Sequence, residues 1–209
     1  RRDHFAGRVE ELLGSGTISP PYWRGERHFL TRREPGQQFS VLYVVDADGT
    51  ERVLIDPMAL DPSGVTTLDS WQPSKEGDRI AYQLSVGGNE ESLLYVMDVD
   101  TGETIEGPID RCRYSPVAWV LGGASFYYVR RIAPELLPES EQNFHRRVYL
   151  HRVGASPDTD ELVLAEIEGL SARGLLIPTA VESADAETLK RFAGARGEVP
   201  VKLLRHPKI

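Results

Sequence analysis

A long-period internal repeat constrains this chain more than any other feature of its sequence. Residues Phe39–Val45 are rich in β-branched and aromatic side chains, Asp46–Thr50 supplies a tight reversal, and Glu51–Ile55 returns. That is a hairpin, in which Gly49 can take a positive φ and Asp46 and Asp48 can accept from nearby turn amides. The same design recurs at Ser92–Ile105 and, more weakly, at Arg147–Ala155. Tyr43, Tyr95 and Tyr149 hold the matching positions, 52 and 54 residues apart.

A second unit alternates with the hairpins. Ser70–Ser85 places Trp71 before a Gly-containing turn and the strand Arg79–Ser85, and Ala118–Arg130 repeats the order with Trp119, 48 residues on. Each period therefore offers four short strands in about 50 residues, the period of a propeller blade. One four-stranded sheet leaves apolar faces that a neighbouring sheet can cover, so Trp71 and Trp119 are expected between adjacent sheets. The fold class expected is all-β: a partial β-propeller of about three four-stranded antiparallel blades, with an N-terminal helix and a small α/β tail.

The flanks do not follow the repeat. Phe5, Val9, Leu12 and Leu13 fall at helical intervals, with Asp3 placed to cap the first free amides, and Gly14, Gly16, Pro20 and Pro21 end the segment. Strands are expected at His28–Arg32, Phe39–Asp46 and Glu51–Ile55. Beyond about residue 165 a helix is expected from Ser183 to Gly194, anchored by Leu189 and Phe192, with a final strand near Val199. The organisation expected is residues 1–20 as helix and linker, 21–165 as propeller repeats and 166–209 as a tail with one helix. Three periods fall short of the four or more blades that close a propeller, so an isolated chain is expected to form an open blade stack, cover its edges with the two terminal segments, or oligomerise.

Composition narrows the function. With 24 Lys plus Arg against 32 Asp plus Glu, the net charge of -8 disfavours nucleic acid and anionic membranes as partners. No apolar run reaches the roughly 20 residues of a membrane helix, and no signal-peptide apolar segment follows Arg1–Phe5, so the cytoplasm is the expected location. The chain begins without Met, as a processed or truncated product would. Cys112 is the single cysteine, which excludes an internal disulfide and fits a small residue packed near a strand end.

No catalytic or cofactor motif emerges. A GxSxG elbow is absent, and Ser15 and Ser85 have glycine neighbours without the strand-to-helix context that exposes a nucleophile. Of His4, His28, His145, His151 and His206, the pair His145 and His151 lacks the Cys or HExxH company of a zinc site and fits surface or edge-strand positions. Gly87–Gly88 and Gly122–Gly123 lack phosphate-loop surroundings. Asp46, Asp48, Asp98 and Asp100 offer too few oxygens for calcium and suit turn capping. The pairs Arg32–Arg33, Arg130–Arg131 and Arg146–Arg147 fit solvated edges or contacts to another domain. No catalytic, cofactor-binding or metal residue is assigned, and no cofactor is expected.

Several motifs, taken in order, resemble the amino-terminal propeller of the prolyl oligopeptidase family of serine peptidases. Residues 1–13 resemble its leading helix and Pro21–Phe29 its first strand region. Ser40–Val44 followed by Leu54–Pro57 resembles the family's VLYV strand and LIDP or LLDP segment. Trp71–Tyr82 matches a blade strand, an S-x-D-G turn and an A-Y strand, with Lys75 and Glu76 departing from the turn's usual form, and Phe126–Tyr128 fits the strand that closes the next segment. The resemblance covers about residues 1–160. It implies a propeller, usually seven-bladed, that caps an α/β-hydrolase domain and admits short proline-containing peptides. The hydrolase triad and the remaining blades find no counterpart here, so this chain alone is expected to be inactive. A truncated product, a fragment or a reused domain would each fit. The expected role is a noncatalytic gating segment, with an α/β-hydrolase domain or a homo-oligomer covering its open blade edges and a peptide as ligand. The alternative is a stand-alone protein–protein interaction module.

Overall fold

The computed structural model describes residues 1–164. Helix α1 (Arg2–Leu13) leads into three antiparallel sheets. The first contains β1 (Thr17–Ile18), β2 (Tyr22–Arg24), β3 (Arg27–Arg33), β4 (Val41–Val45) and β5 (Glu51–Ile55). Strands β1 and β2 pair with opposite ends of β3, so together they make one first strand interrupted at Pro20–Pro21, where proline cannot donate to a ladder. The short helix α2 (Pro57–Leu60) connects onward. The Asp56 carboxylate accepts from the Met58 amide at 2.9 Å, and Pro57 occupies the first turn, where its missing N–H costs nothing.

The second sheet is β6 (Thr66–Pro73), β7 (Arg79–Val86), β8 (Leu93–Asp98) and β9 (Thr104–Ile109). The third is β10 (Val117–Trp119), β11 (Ser125–Arg131), β12 (Arg146–Arg152) and β13 (Glu161–Leu164). Each sheet follows chain order, as three successive blades do. The expected strands lie where the repeat puts them, and Tyr43, Tyr95 and Tyr149 all stand on third strands, opposite Leu30, Tyr82 and Tyr128. The expected helix and strand after residue 165 lie outside the described residues. Among the described residues no helix is long and apolar enough to cross a membrane.

The core lies between the sheets. Phe29, Leu42, Val44 and Ile55 of the first sheet meet Ile80, Tyr82 and Met97 of the second, with Trp71 and Tyr95 packed against them. Ala81, Leu94, Val96 and Ile109 then cover the other face of the second sheet against Val117, Trp119, Phe126 and Tyr128 of the third. Both tryptophans occupy sheet-to-sheet contacts. Trp71 meets Tyr22 edge-on at 5.9 Å, and Trp119 is 5% exposed, lies 5.0 Å from Phe126, and donates its indole N–H to the Gln72 carbonyl at 2.9 Å. Tyr95 and Tyr149 each pack toward the preceding sheet. Tyr43 has no earlier sheet among the described residues, and the Arg32 guanidinium stacks over its ring at 4.3 Å instead.

Polar contacts repeat along with the apolar ones. Arg27, opening β3, donates to the Gly77 carbonyl in the first turn of the second sheet (3.3 Å). Arg79, opening β7, donates to the Gly123 carbonyl in the first turn of the third (2.6 Å). Both acceptors are glycines at positive φ, +78° and +63°, a conformation that turns the peptide toward the incoming guanidinium.

Two local expectations are corrected. Asp3 lies inside α1, whose N-terminal flanking residue is Arg1, and its carboxylate forms no cap. It acts only as an acidic residue in the first turn, where the helix dipole favours negative charge. Asp46 spends its carboxylate on Arg27 and Arg52, both at 2.8 Å, rather than on turn amides. Asp48 does accept from the Thr50 amide at 2.8 Å, and Gly49 takes φ +85°.

Trp119→Ala should cost about 3–5 kcal/mol in denaturant unfolding, and Trp71→Ala less because Trp71 is only half-buried. An unchanged midpoint for Trp119→Ala would contradict its placement. Arg79→Met removes one charge-assisted bond between the second and third sheets and should cost about 1.5–3 kcal/mol by the same measurement.

Candidate functional site

The loops that lead into the first and third strands of the sheets gather at one end of the stack and leave two cavities there. One, of about 570 Å³, lies between the first and second sheets and is lined by Thr31, Phe39, Pro57, Leu68 and Trp71. The other, of about 420 Å³, lies between the second and third sheets and is lined by Gln83, Glu90, Ser92, Tyr114 and Pro116. Asp69 and Ser70 of β6 border both.

Asp69 sits where the β6–β7 register shifts between Leu68 and Ser70, which turns it out of the ladder. Its carboxylate accepts from three hydroxyls: Thr67 and Ser85 at 2.9 Å and Ser92 at 2.6 Å. Across the second cavity Tyr114 adopts φ +52°, sparsely populated for a residue with a side chain, and remains 59% exposed. Its ring stands 5.2 Å from the Arg113 guanidinium and 5.6 Å from that of Arg146, and its hydroxyl donates to Glu90 at 2.5 Å. The two cavities are thus bordered by both charged and apolar side chains.

The serines singled out by their glycine neighbours do not meet a base. Ser15 follows α1 and donates to the Leu12 carbonyl at 2.7 Å, and Ser85 is buried and engaged with Asp69 and Thr67. The histidines are dispersed: His4 lies on α1 near Phe5, His28 stacks on Trp23 at 4.4 Å, and His145 meets Glu141 at 2.7 Å. His206 lies outside the described residues. His151 does carry a carboxylate partner, Asp160 at 2.8 Å, but it is 0% exposed and the hydroxyl beside it belongs to Tyr128. A buried imidazole with no serine and no path for substrate positions structure rather than transferring protons to a reacting group.

The surface placement expected for His151 is therefore overturned. The ring lies on the interior strand β12, and Glu106, 45 residues earlier in the chain, supplies its second carboxylate. Arg130 and Arg131 are likewise buried rather than solvated. They pair with Asp110 and Glu91 of the second sheet's flanks, across the sheet-to-sheet contact. Burial works against the charge on Asp110, yet the Arg130 guanidinium holds its carboxyl below the usual range. Arg32 lies on β3, paired on both sides with Ile18 and Val41, and its partly buried guanidinium donates to Glu51 at 2.6 and 2.9 Å rather than standing at a solvated edge. Gly87 and Gly122 occupy turns at positive φ. Asp98 accepts from the Asp100 and Thr101 amides, and Asp100 accepts from Arg27. Among the described residues no three His, Cys, Asp or Glu side chains converge on a metal position.

Cys112 is fully buried before β10, among Leu94, Ile109 and Trp119, and its thiol donates to the Asp110 carbonyl at 3.3 Å. Burial pushes the thiol up to about 12.

A family model described as prolyl oligopeptidase, N-terminal β-propeller domain, matches residues 1–175. The chain belongs to the prolyl oligopeptidase family. It corresponds to that family's noncatalytic N-terminal propeller region. It is similar to the prolyl endopeptidases of Elizabethkingia meningoseptica (28% identical, 78% of this chain, 23% of the relative) and of Elizabethkingia miricola (29% identical, 77% and 23%). A solved prolyl endopeptidase structure superposes on 79% of this chain and 25% of its own, with a TM-score of 0.72 at 27% identity. The chain therefore spans about a quarter of the length of these relatives.

Thiol reagents should leave Cys112 unmodified at neutral pH in the folded chain and label it quantitatively in denaturant, by mass spectrometry. Rapid labelling without denaturant would contradict the buried placement.

Proposed function

We propose that this chain serves as a propeller segment controlling access to a prolyl oligopeptidase-type active site, selecting short proline-containing peptides without cleaving them. The observation that carries this reading is the pairing of a family-matched propeller with described residues that join no serine to a histidine base. Entry control needs a rigid wall with polar and apolar contacts along a path, and the Asp69–Tyr114 rim offers both.

An α/β-hydrolase domain is the partner proposed to complete the active unit. Helix α1 supports it: Phe5, Val9, Leu12 and Leu13 make an apolar stripe that is 53–67% exposed, and no residue of the helix is buried. Such a stripe at helical spacing fits a groove on a second folded unit. The cytoplasm is the proposed location, supported by a single, unpaired cysteine and the absence of a membrane-length apolar run from the sequence.

A second reading, a stand-alone interaction module or homo-oligomer, draws support from Ile18, Trp23 and Val53. These lie on the outward face of the first sheet and are 55–65% exposed. It predicts a concentration-dependent mass above 23.3 kDa in light scattering.

The purified 209-residue chain should show no turnover of a proline-containing peptide, and turnover abolished by a serine-directed inhibitor would overturn the reading. Phe5→Glu combined with Leu12→Glu should leave the thermal midpoint of the chain unchanged while weakening association with an added α/β-hydrolase domain from a relative. Equal association of variant and parent would remove α1 from that interface.

A further inference from the structure

We propose that His151 is a protonated clasp holding the third sheet onto the second, and that loss of its ring proton loosens this one sheet-to-sheet contact. The ring lies on β12 of the third sheet, fully buried. Its Nδ1 faces Asp160 Oδ1 at 2.8 Å, in the connection to β13. Its Nε2 faces Glu106 Oε2 at 3.4 Å, on β9 of the second sheet, an ion-pair distance without the alignment of a hydrogen bond.

A neutral imidazole has one N–H and one lone pair. In this geometry a neutral ring leaves Glu106 without a positive charge beside it, whereas the imidazolium donates to Asp160 and sets its charge next to Glu106. Asp160 and Glu106 have side chains only 2% and 12% exposed, so losing the cation leaves two carboxylates with little water to replace it. The rest of the surroundings serve the carboxylates. The Tyr128 hydroxyl of β11 donates to Asp160 Oδ2 at 2.7 Å, and the Gly154 amide donates to Glu106. The Phe126 ring packs at 5.0 Å. Behind Tyr128, Arg130 is engaged by Asp110, the Pro157 carbonyl and Asp158, and Cys112 is a neutral thiol.

Burial by itself depresses the imidazole pKa. Asp160, and then Glu106, more than offset that effect, so the ring holds its proton above the ordinary imidazole range. A raised folded-state pKa means that the clasp contributes fully below the ordinary imidazole value and fades as pH rises through the folded one. The first and second sheets are joined differently, by Arg27 to Asp100 and the Gly77 carbonyl and by Arg52 to the Val99 carbonyl. Guanidinium groups keep their charge as the imidazole titrates, so the response to His151 deprotonation is confined to the second contact.

The test is a pH titration of the ¹⁵N-histidine-labelled 209-residue chain by NMR, following the ring nitrogens of His151 and the indole N–H signals of Trp71 and Trp119. The His151 ring should titrate above the ordinary imidazole range, with both nitrogens protonated below its midpoint. The Trp119 indole, bonded across the second and third sheets, should show a step at the same midpoint, and Trp71, in the other contact, should not. Glu106→Gln should shift the His151 midpoint downward, and His151→Gln should abolish the Trp119 step. A His151 ring that titrates no higher than a free imidazole, a Trp119 signal without the step, or a step that survives in His151→Gln would each overturn the proposal. Should His151→Gln fail to fold, the parent chain and Glu106→Gln still decide it.

Discussion

The structure depends on the cover that each small sheet gives the next. A four-stranded sheet in this chain has two apolar faces, and among the described residues neighbouring sheets take the facing ones out of water. The second sheet shows the solved case: Ile80 and Tyr82 face the first sheet, Ala81 and Leu94 face the third, and all four are buried. The first sheet shows what happens at an end. Tyr43, the counterpart of Tyr95 and Tyr149, lies under a guanidinium, while Trp23 and Val53 on the same outward face stay exposed.

Charge is distributed to reinforce this cover rather than to build a reactive centre. Arg27 and Arg79 reach forward from equivalent strand starts into the next sheet's first turn, and Arg130 and Arg131 reach back to acids flanking the second sheet. His151 belongs to the same set of cross-sheet contacts. Bonds of this kind keep neighbouring sheets in fixed relation, which a wall guarding an entrance requires. They leave the Asp69–Tyr114 rim with polar groups facing a cavity.

Much of this was legible in the sequence because the repeat writes it twice or three times. The hairpin around Gly49, the third-strand tyrosines and the interleaved tryptophans could be placed from spacing alone, since period-2 alternation and turn chemistry act over a few residues. The buried Arg130, Arg131 and His151 were not, because their partners lie 20, 40 and 45 residues away and only the stacking of sheets brings them close. A signal for the arginine contacts was present. Arg27 and Arg79 are 52 residues apart, the spacing of Tyr43 and Tyr95, and each begins a second strand. The α2 helix was also announced, by Asp56 before Pro57, but its four residues are too few for periodicity to reveal.

Native-state hydrogen exchange tests the dependence on mutual cover most directly. Amides of β7 and β8, in the sheet covered on both faces, should exchange slowest and only with global unfolding. Those of β4 should open more readily, and those of α1 first. Protection of β7 and β8 no greater than that of α1 would contradict the account.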